Sequence, residues 1–299
     1  MPTSNTSMQG KVCIVTGANS GIGKATALGL AQMGATVVMV CRNQSKGEEA
    51  QNEIKEKSEN DAIDLMLADL SSQESIYRLA ENVQQHYQQL HVLINNAGVA
   101  NLSRRETVDG LEMTFADNYL APFLLTNLLL DKLKTSAPAR IVNVSSGSHQ
   151  SGYIKMDDLE LEKGYRLMRA YGQSKLALVL FTYELARRLQ GAGVTANCLH
   201  PGFVATNIGQ NGVGSVGRSI VKLIFSRLGI SPEEGAKTSI YLASSPEIEG
   251  VTGKYFIKSI PVRSAPISYD ETLQRQLWEV SAKLVHLSVK VGAQFIAPA

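Results

Sequence analysis

The chain has 299 residues, of which 44% are hydrophobic and 19% are charged, and its formal net charge is +2 at pH 7. These values suit one large α/β domain or two small ones, and they exclude a disordered chain. Because the charge is nearly balanced and no long basic run occurs, we do not expect a nucleic-acid partner.

The first ten residues form a polar stretch, which we interpret as a loose tail. It contains no apolar run that could direct export or span a bilayer, so we expect no transmembrane segment and a cytoplasmic protein. Cys13, Cys41 and Cys198 are odd in number and lie in strand-like runs, which predicts buried, reduced thiols. The five histidines follow no ligand spacing, and we expect no metal site.

A strand, a glycine-rich turn and a helix follow each other over residues 12–30. Gly17 allows a sharp exit from the strand, Gly21 lets the backbone approach a pyrophosphate, and Gly23 lets the helix pack closely on the sheet. The N–H groups and the positive dipole end at the start of the helix attract phosphates. Such turns also occur without a ligand, but the position of this one after the first strand favours a dinucleotide site. The expected contacts from this turn are Gly17, Asn19, Ser20, Gly21, Ile22 and Gly23.

Strand and helix patterns alternate along the chain without an internal repeat. Predicted strands cover residues 12–16, 35–41, 63–68, 92–94, 140–144, 194–199 and 254–257. Predicted helices cover residues 44–57, 71–87, 108–134, 165–190 and 270–287, and another begins near residue 231. We expect Ser71 to cap the helix at 71–87 and Pro122 to bend the helix at 108–134.

The predicted strands are rich in β-branched residues and apolar on both faces, which is typical of a parallel sheet covered by helices on both sides. We therefore predict an α/β fold, a single doubly wound parallel-sheet (Rossmann) domain over residues 11–257, with a substrate lid at 206–230. Residues 258–299 are predicted to form a C-terminal helical extension packed on the same domain.

Polar residues follow the strands, where ligands bind in such sheets. Arg42 follows the second strand, where an arginine pairs with a 2′-phosphate, so NADP(H) is the expected cofactor; the alternative is a solvated arginine. Asp69 follows the third strand and is expected to hold the adenine edge, to cap the next helix, or both. Asn95, Ala97 and Gly98 close the fourth strand near the ribose, or form a plain turn.

Tyr171 and Lys175 are four residues apart, so on a helix they share one face. A tyrosine alone titrates near pH ~10, and a nearby lysine cation favours the phenolate and lowers that pKa. The pair could exchange a proton with an alcohol or carbonyl oxygen while a nicotinamide exchanges a hydride. Ser146 could bind the same oxygen, and Asn118 could connect the lysine to a water chain. The alternatives are a core tyrosine, a turn hydroxyl and a polar group at a helix kink.

Together these residues resemble the short-chain dehydrogenase/reductase family. The matching pieces run in family order: Thr16-Gly17-x-x-x-Gly21-x-Gly23, Asp69, Asn95-Asn96-Ala97-Gly98, Asn118, Ser146, Tyr171-x-x-x-Lys175 and Pro201-Gly202 followed by Thr206. The resemblance implies Tyr171 as acid/base and Lys175 as its activator and a ligand of the nicotinamide ribose. It further implies Ser146 as partner of the substrate oxygen and Asn118 as relay. The remaining expected cofactor contacts are Leu70, Pro201, Gly202, Val204 and Thr206.

Within the family the chain looks most like the retinol-dehydrogenase-like branch, on the segments 41–43, 122–130, 141–146 and 277–281. This implies an NADP(H)-dependent oxidoreductase that interconverts a lipophilic aldehyde or ketone and its alcohol, under the apolar lid. Two alternatives stay open, a non-catalytic NADP-binding regulatory protein and a light-dependent protochlorophyllide-type reductase. Vertebrate members of the branch often carry an N-terminal membrane anchor, and we expect a departure from the branch here because residues 1–10 are polar. The chain also carries Asp117 where the family usually has an apolar residue.

The predicted C-terminal helix has an apolar stripe at three- and four-residue spacing, formed by Leu273, Leu277, Val280, Leu284 and Leu287. If the stripe folds back on its own subunit, we expect it to cover the edge of the sheet through which tetramers form. The long helices that carry Asn118 and Tyr171 would then remain as the interface of a homodimer, or the chain would be a monomer. The alternative is that the stripe is itself a partner surface.

Overall fold

The computed structural model describes residues 7–202 and 230–287, and an eight-stranded sheet forms its centre. The strands are β1 (Val12–Thr16), β2 (Thr36–Cys41), β3 (Ile63–Leu67), β4 (Val92–Asn95), β5 (Ala139–Val144), β6 (Val194–His200), β7 (Tyr255–Ile257) and β8 (Ile260–Val262). They lie in the order β3-β2-β1-β4-β5-β6-β7-β8, and all neighbours are parallel except β7 and β8. The strand order reverses between β1 and β4, which opens a crevice at their carboxyl ends.

Helices cover both faces of the sheet. They are α1 (Gly21–Gln32), α2 (Gln44–Ser58), α3 (Gln73–His86), α4 (Met113–Phe115), α5 (Ala121–Thr135), α6 (Leu167–Arg188), α7 (Pro232–Ser244) and α8 (Glu271–Leu284). Several begin at the polar residues that the sequence offers as caps, such as Asn43 for α2, Ser231 for α7 and Asp270 for α8. Within the described ranges, no helix is long and apolar enough to cross a lipid bilayer.

The core is divided by the sheet into two apolar layers. Along each strand, alternate side chains enter opposite layers: Ile14 and Val38 lie on the side of α3, α5 and α6, whereas Cys13 and Val37 lie on the side of α1, α2 and α7. This two-sided burial explains why the strands are continuous apolar runs. The predicted doubly wound parallel sheet is confirmed, and β8 adds an antiparallel strand at its edge.

The long helix predicted at 108–134 is divided in the structure. It begins at Met113 because Glu112 caps it, accepting from the backbone N–H groups of Thr114 at 2.8 Å and Phe115 at 2.7 Å. A π-helical turn, Ala116–Leu120, then joins α4 to α5. Pro122 stands at the start of α5, so the π turn and not the proline interrupts the helix.

The turn before α3 also differs from the prediction. Ser72, and not Ser71, caps α3 by accepting from the backbone N–H of Ser75 at 3.3 Å. Ser71 instead donates its backbone N–H and its hydroxyl to Asp69, at 3.0 and 2.7 Å. Asp69 therefore fixes the turn that leads into α3 but does not cap this helix, so the capping role given as an alternative was wrong, and adenine binding stays a prediction.

The helix of the C-terminal extension folds back on its own subunit, but not on the edge of the sheet where we had expected it. Trp278 of α8 packs against Phe123 of α5 and Phe181 of α6, with ring centroids 4.9 and 5.6 Å apart, and the guanidinium of Arg188 lies 4.2 Å above the indole. The extension thus covers the long helices that we had expected to stay free. The edge of the sheet is covered by β8, which pairs with β7. Monomer or homodimer stays a prediction.

Candidate active site

The glycine-rich turn at the end of β1 forms a cradle that only glycines can build. Gly17 and Gly21 have positive φ values of 68° and 56°. A Cβ atom at Gly23 would lie 2.3 Å from the backbone oxygen of Gly17. The side chain of Ser20, before α1, makes no capping hydrogen bond, so it leaves the first N–H groups of α1 open to another acceptor. This arrangement fits the pyrophosphate of a dinucleotide.

Thr16 and Asn96 join the carboxyl ends of β1 and β4. The hydroxyl of Thr16 accepts from the backbone N–H groups of Asn96 at 2.9 Å and Ala97 at 3.0 Å. Asn96 donates its side-chain amide to the backbone oxygen of Thr16 at 2.8 Å. Both residues belong to sequence motifs of the family, but neither had a predicted role. The structure shows that they hold the two sides of the crevice together where the strand order reverses.

The residues predicted to bind the adenosine half lie along the carboxyl edge of the sheet. Arg42 is exposed directly after β2, and Asp69 lies two residues after β3. Leu70 is partly buried against the apolar layer of α3 and α5. Asn95 differs from the others because its side chain turns inward and donates to Thr126 at 3.0 Å and to Asn143 at 2.8 Å. Only the backbone of Asn95 is therefore left to approach a ribose.

Lys175 lies below the crevice and is fully enclosed. Its ammonium group donates to the backbone oxygen of Val144 at 3.0 Å and lies 5.7 Å from the centre of the Tyr171 ring. A Cβ atom at Gly98 would lie 3.4 Å from the same nitrogen. Burial lowers the pKa of Lys175 to about 8, so the side chain is still largely a cation at neutral pH.

The phenol of Tyr171 shows a pKa raised by burial, and a hydrogen bond with Ser146 opposes this shift. We had expected the lysine cation to lower the pKa of Tyr171, whereas burial determines the direction in the structure. The spacing of Tyr171 and Lys175 on α6 is confirmed, since both belong to the same helix and point to the same end of the sheet.

Ser146 caps a short 3₁₀ turn, Gly147–Ser151, directly after β5. Its hydroxyl accepts from the backbone N–H of Ser148 at 3.2 Å. His149 belongs to this turn and is completely buried. Its Nδ1 atom lies 2.7 Å from the backbone oxygen of Ser146, and its Nε2 atom accepts from the backbone N–H of Ala265 at 3.1 Å. These contacts require a neutral ring with its proton on Nδ1. His149 thus fixes Ser146 to the C-terminal extension, a role that sequence analysis missed.

We expect the stability of the protein to fall as pH is lowered below about 6.5. Burial lowers the pKa values of His149 and His200 in the folded chain, so below their ordinary pKa the unfolded chain binds more protons. Each such histidine contributes a slope of at most about 1.4 kcal/mol per pH unit. Urea unfolding at several pH values should show a smaller slope for His149→Asn than for the wild type. An unchanged slope for His149→Asn would contradict the assignment.

Asn118 lies in the π turn and clamps the loop after β4. Its side-chain oxygen accepts from the backbone N–H of Val99 at 2.7 Å, and its amide donates to the Val99 oxygen at 2.9 Å and to the hydroxyl of Ser174 at 3.0 Å. The side chain is therefore engaged in holding Val99 against α6. This supports a positioning role for Asn118, and the relay role stays a prediction.

The last predicted contacts follow β6. Gly202 has a positive φ of 93°, and a Cβ atom there would lie 2.6 Å from Cδ1 of Ile230, so only glycine suits this position. Pro201 precedes it and is partly buried. Val204, Thr206 and all but the last residue of the predicted lid at 206–230 lie outside the described residues.

The crevice at the strand reversal and the Tyr171–Lys175 helix together have the form of a nucleotide-dependent oxidoreductase site. The family model described as short chain dehydrogenase matches residues 11–213, and the chain belongs to this family. It is thus an oxidoreductase of a family that uses NAD(P)(H) and acts on alcohols and carbonyls.

The chain is also similar to named proteins and to solved structures. Human retinol dehydrogenase 13 is 46% identical over 288 residues, which are 95% of this chain and 87% of the relative. Human polyprenol dehydrogenase is 44% identical over 92% of this chain and 84% of its own. A crystal structure of a Mycobacterium paratuberculosis protein has a TM-score of 0.76 at 33% identity, covering 94% of this chain and 95% of that one. The retinol-dehydrogenase-like resemblance is thereby confirmed.

Proposed function

We propose that this chain is an NADP(H)-dependent oxidoreductase that interconverts a lipophilic aldehyde or ketone and its alcohol. The observation that carries the proposal is the meeting of Ser146, Tyr171 and Lys175 at one end of the sheet. They lie beside a crevice whose glycine turn fits a pyrophosphate. Arg42, exposed at the end of β2, supports the phosphorylated cofactor.

In the proposed reduction, the bound NADPH supplies the hydride. Tyr171 donates its hydroxyl proton to the carbonyl oxygen, and Ser146 donates a second hydrogen bond to the same oxygen. The ammonium of Lys175 stabilises the phenolate that remains on Tyr171. In the direction of oxidation, that phenolate accepts the proton of the alcohol. His149 holds Ser146 and Asn118 holds Val99, so both act by positioning.

The apolar nature of the substrate is supported by three exposed side chains near the site in sequence. Leu102 follows β4, Tyr153 follows β5, and Met168 stands one turn before Tyr171 on α6. They are 53%, 67% and 61% exposed. Two relatives are named for retinol and for polyprenol, which are long apolar alcohols. We therefore assign a lipophilic alcohol or carbonyl as the substrate class.

A panel of aldehydes and ketones of increasing chain length, with NADPH and with NADH in the dark, tests this function. We expect NADPH oxidation that increases with the apolar length of the substrate. Binding of NADPH without turnover of any compound would favour the non-catalytic alternative. Turnover that requires light would favour the protochlorophyllide-type reductase.

We expect Arg42→Ala to weaken NADPH binding by about ten- to a hundredfold and to leave NADH binding nearly unchanged. The reason is that the guanidinium is assigned to the 2′-phosphate, which NADH lacks. Fluorescence titration of both dinucleotides measures the two dissociation constants. Arg78→Ala, which removes an exposed arginine of α3, is the matched control. Equal losses for both dinucleotides would show that Arg42 is structural.

A further inference from the structure

Asp117 is a buried carboxyl group that the proposed reaction does not use. It lies in the π turn, directly before Asn118. Only 8% of the residue is exposed, and its Oδ1 atom is fully buried with no hydrogen-bond partner among the residues that the structure describes. Burying an unsatisfied carboxyl group is costly, so its presence beside the site calls for a functional explanation.

Asp117 interacts electrostatically with three charged groups on neighbouring elements, and two residues of its own π turn, Ala116 and Leu120, line a small cavity together with Leu70 and Ser71. Asp69 follows β3, Glu112 precedes α4, and Arg42 follows β2. Burial and the two carboxylates raise the pKa of Asp117, and the guanidinium of Arg42 lowers it, with a result of about 7. Asp117 therefore gains or loses its charge within the neutral pH range.

Two of these neighbours are the residues that we assigned to the adenosine half of the cofactor, Arg42 to the 2′-phosphate and Asp69 to the adenine. Because Asp117 interacts electrostatically with Arg42, its charge also acts on a phosphate that binds to this guanidinium. A phosphate monoester carries about −1.5 to −2 charges at pH 7. A negative charge on Asp117 repels such a group and opposes its attraction to Arg42, and screening by salt is weak for a buried charge.

We propose that Asp117 determines the choice between the two dinucleotides by its charge: the ionised carboxylate disfavours NADP(H) relative to NAD(H), and the neutral carboxyl group does not. This inference rests on the proposed function, in which the crevice binds a nicotinamide dinucleotide. The preference for NADP(H) therefore increases as pH falls through neutrality. Binding of NADP(H) transfers a proton from solvent to Asp117, and binding of NAD(H) transfers less.

The test measures the dissociation constants of NADPH and NADH at about pH 6.5 and about pH 8. Relative to Asp117→Asn, the wild-type ratio of the NADH constant to the NADPH constant should fall by about three- to tenfold from the lower to the higher pH. Asp117→Asn keeps the shape and removes the charge, so at the higher pH it should bind NADPH about three- to tenfold more tightly. Asp131→Asn, on the exposed side of α5, is the control and should behave like wild type.

Two other groups titrate in this pH range, and they do so in both the wild type and Asp117→Asn. The 2′-phosphate ionises near pH ~6, and Lys175 loses its charge near pH 8. The difference between wild type and Asp117→Asn therefore isolates Asp117. The same pH dependence of the ratio in the wild type and in Asp117→Asn, or weaker NADPH binding by Asp117→Asn, would overturn the inference. The second result would mean that the carboxylate accepts a hydrogen bond from the cofactor.

The outcomes separate this inference from the function on which it rests. If the wild type binds neither dinucleotide, the proposed function fails and the inference fails with it. If it binds both and Asp117→Asn has the wild-type ratio at each pH, only the inference fails. Should Asp117→Asn prove unfolded by thermal melting, Asp117→Ser, which also removes the charge, provides the same comparison with the wild type.

Discussion

Tyr171→Phe is expected to lower turnover by about 10²- to 10⁴-fold while NADPH binding is retained. Phenylalanine fills the same partly buried space on α6 but has no proton to donate, so the carbonyl oxygen keeps only the hydrogen bond from Ser146. The loss should appear in kcat, because the phenolic proton is transferred only as the reaction proceeds. Steady-state kinetics on the best substrate of the aldehyde panel and fluorescence titration with NADPH measure the two quantities.

Tyr183→Phe is the matched control for this variant. Tyr183 is a second tyrosine of α6 and is buried, and its hydroxyl is hydrogen-bonded to Ser264 at 2.6 Å. Loss of that bond should cost about 1 kcal/mol of stability and leave turnover intact. A Tyr171→Phe enzyme with near wild-type turnover would remove Tyr171 from the mechanism. If both variants lost turnover equally, the effect would have to be assigned to the packing of α6.

Much of the fold could be predicted because the determining signals are local. The strands are apolar on both faces, and helices start at residues whose side chains accept backbone N–H groups, such as Asn43 and Ser231. The strand β8 has no such signal, since its three residues are exposed and include Pro261, which is tolerated only at an edge. The π turn also has no local signal, because the contacts that accompany it reach distant residues such as Val99 and Ser174.

The residues of the candidate site could likewise be predicted where a local sequence signal determines them. Helical spacing alone places Tyr171 and Lys175 on one face of α6. The contacts of His149 with Ala265, and of Thr16 with Asn96, join residues far apart in the chain, and no spacing rule reveals them. The direction of the pKa shift of Tyr171 depends on burial, which the sequence does not measure. The prediction that Lys175 lowers the pKa of Tyr171 was therefore wrong, because burial raises this pKa.

The C-terminal helix provides the second large expected effect. Trp278→Ala should lower the free energy of unfolding by about 3–5 kcal/mol. Trp278 is 94% buried between Phe123, Phe181 and Arg188, so removal of its side chain leaves a cavity. A whole domain is stabilised by only about 5–15 kcal/mol, so this loss is severe. Urea unfolding followed by circular dichroism measures it.

Glu279→Ala, one residue further on the exposed side of α8, should change stability by less than about 0.5 kcal/mol and serves as the control. The apolar stripe predicted from the sequence had two readings, an intramolecular packing face or a partner surface. If it binds a partner, Trp278→Ala should alter the mass measured by light scattering while the unfolding free energy stays within about 1 kcal/mol of wild type. If it packs on α5 and α6, stability falls and the mass of the folded protein is unchanged. The burial of Trp278 against two aromatic rings of its own subunit favours the second result.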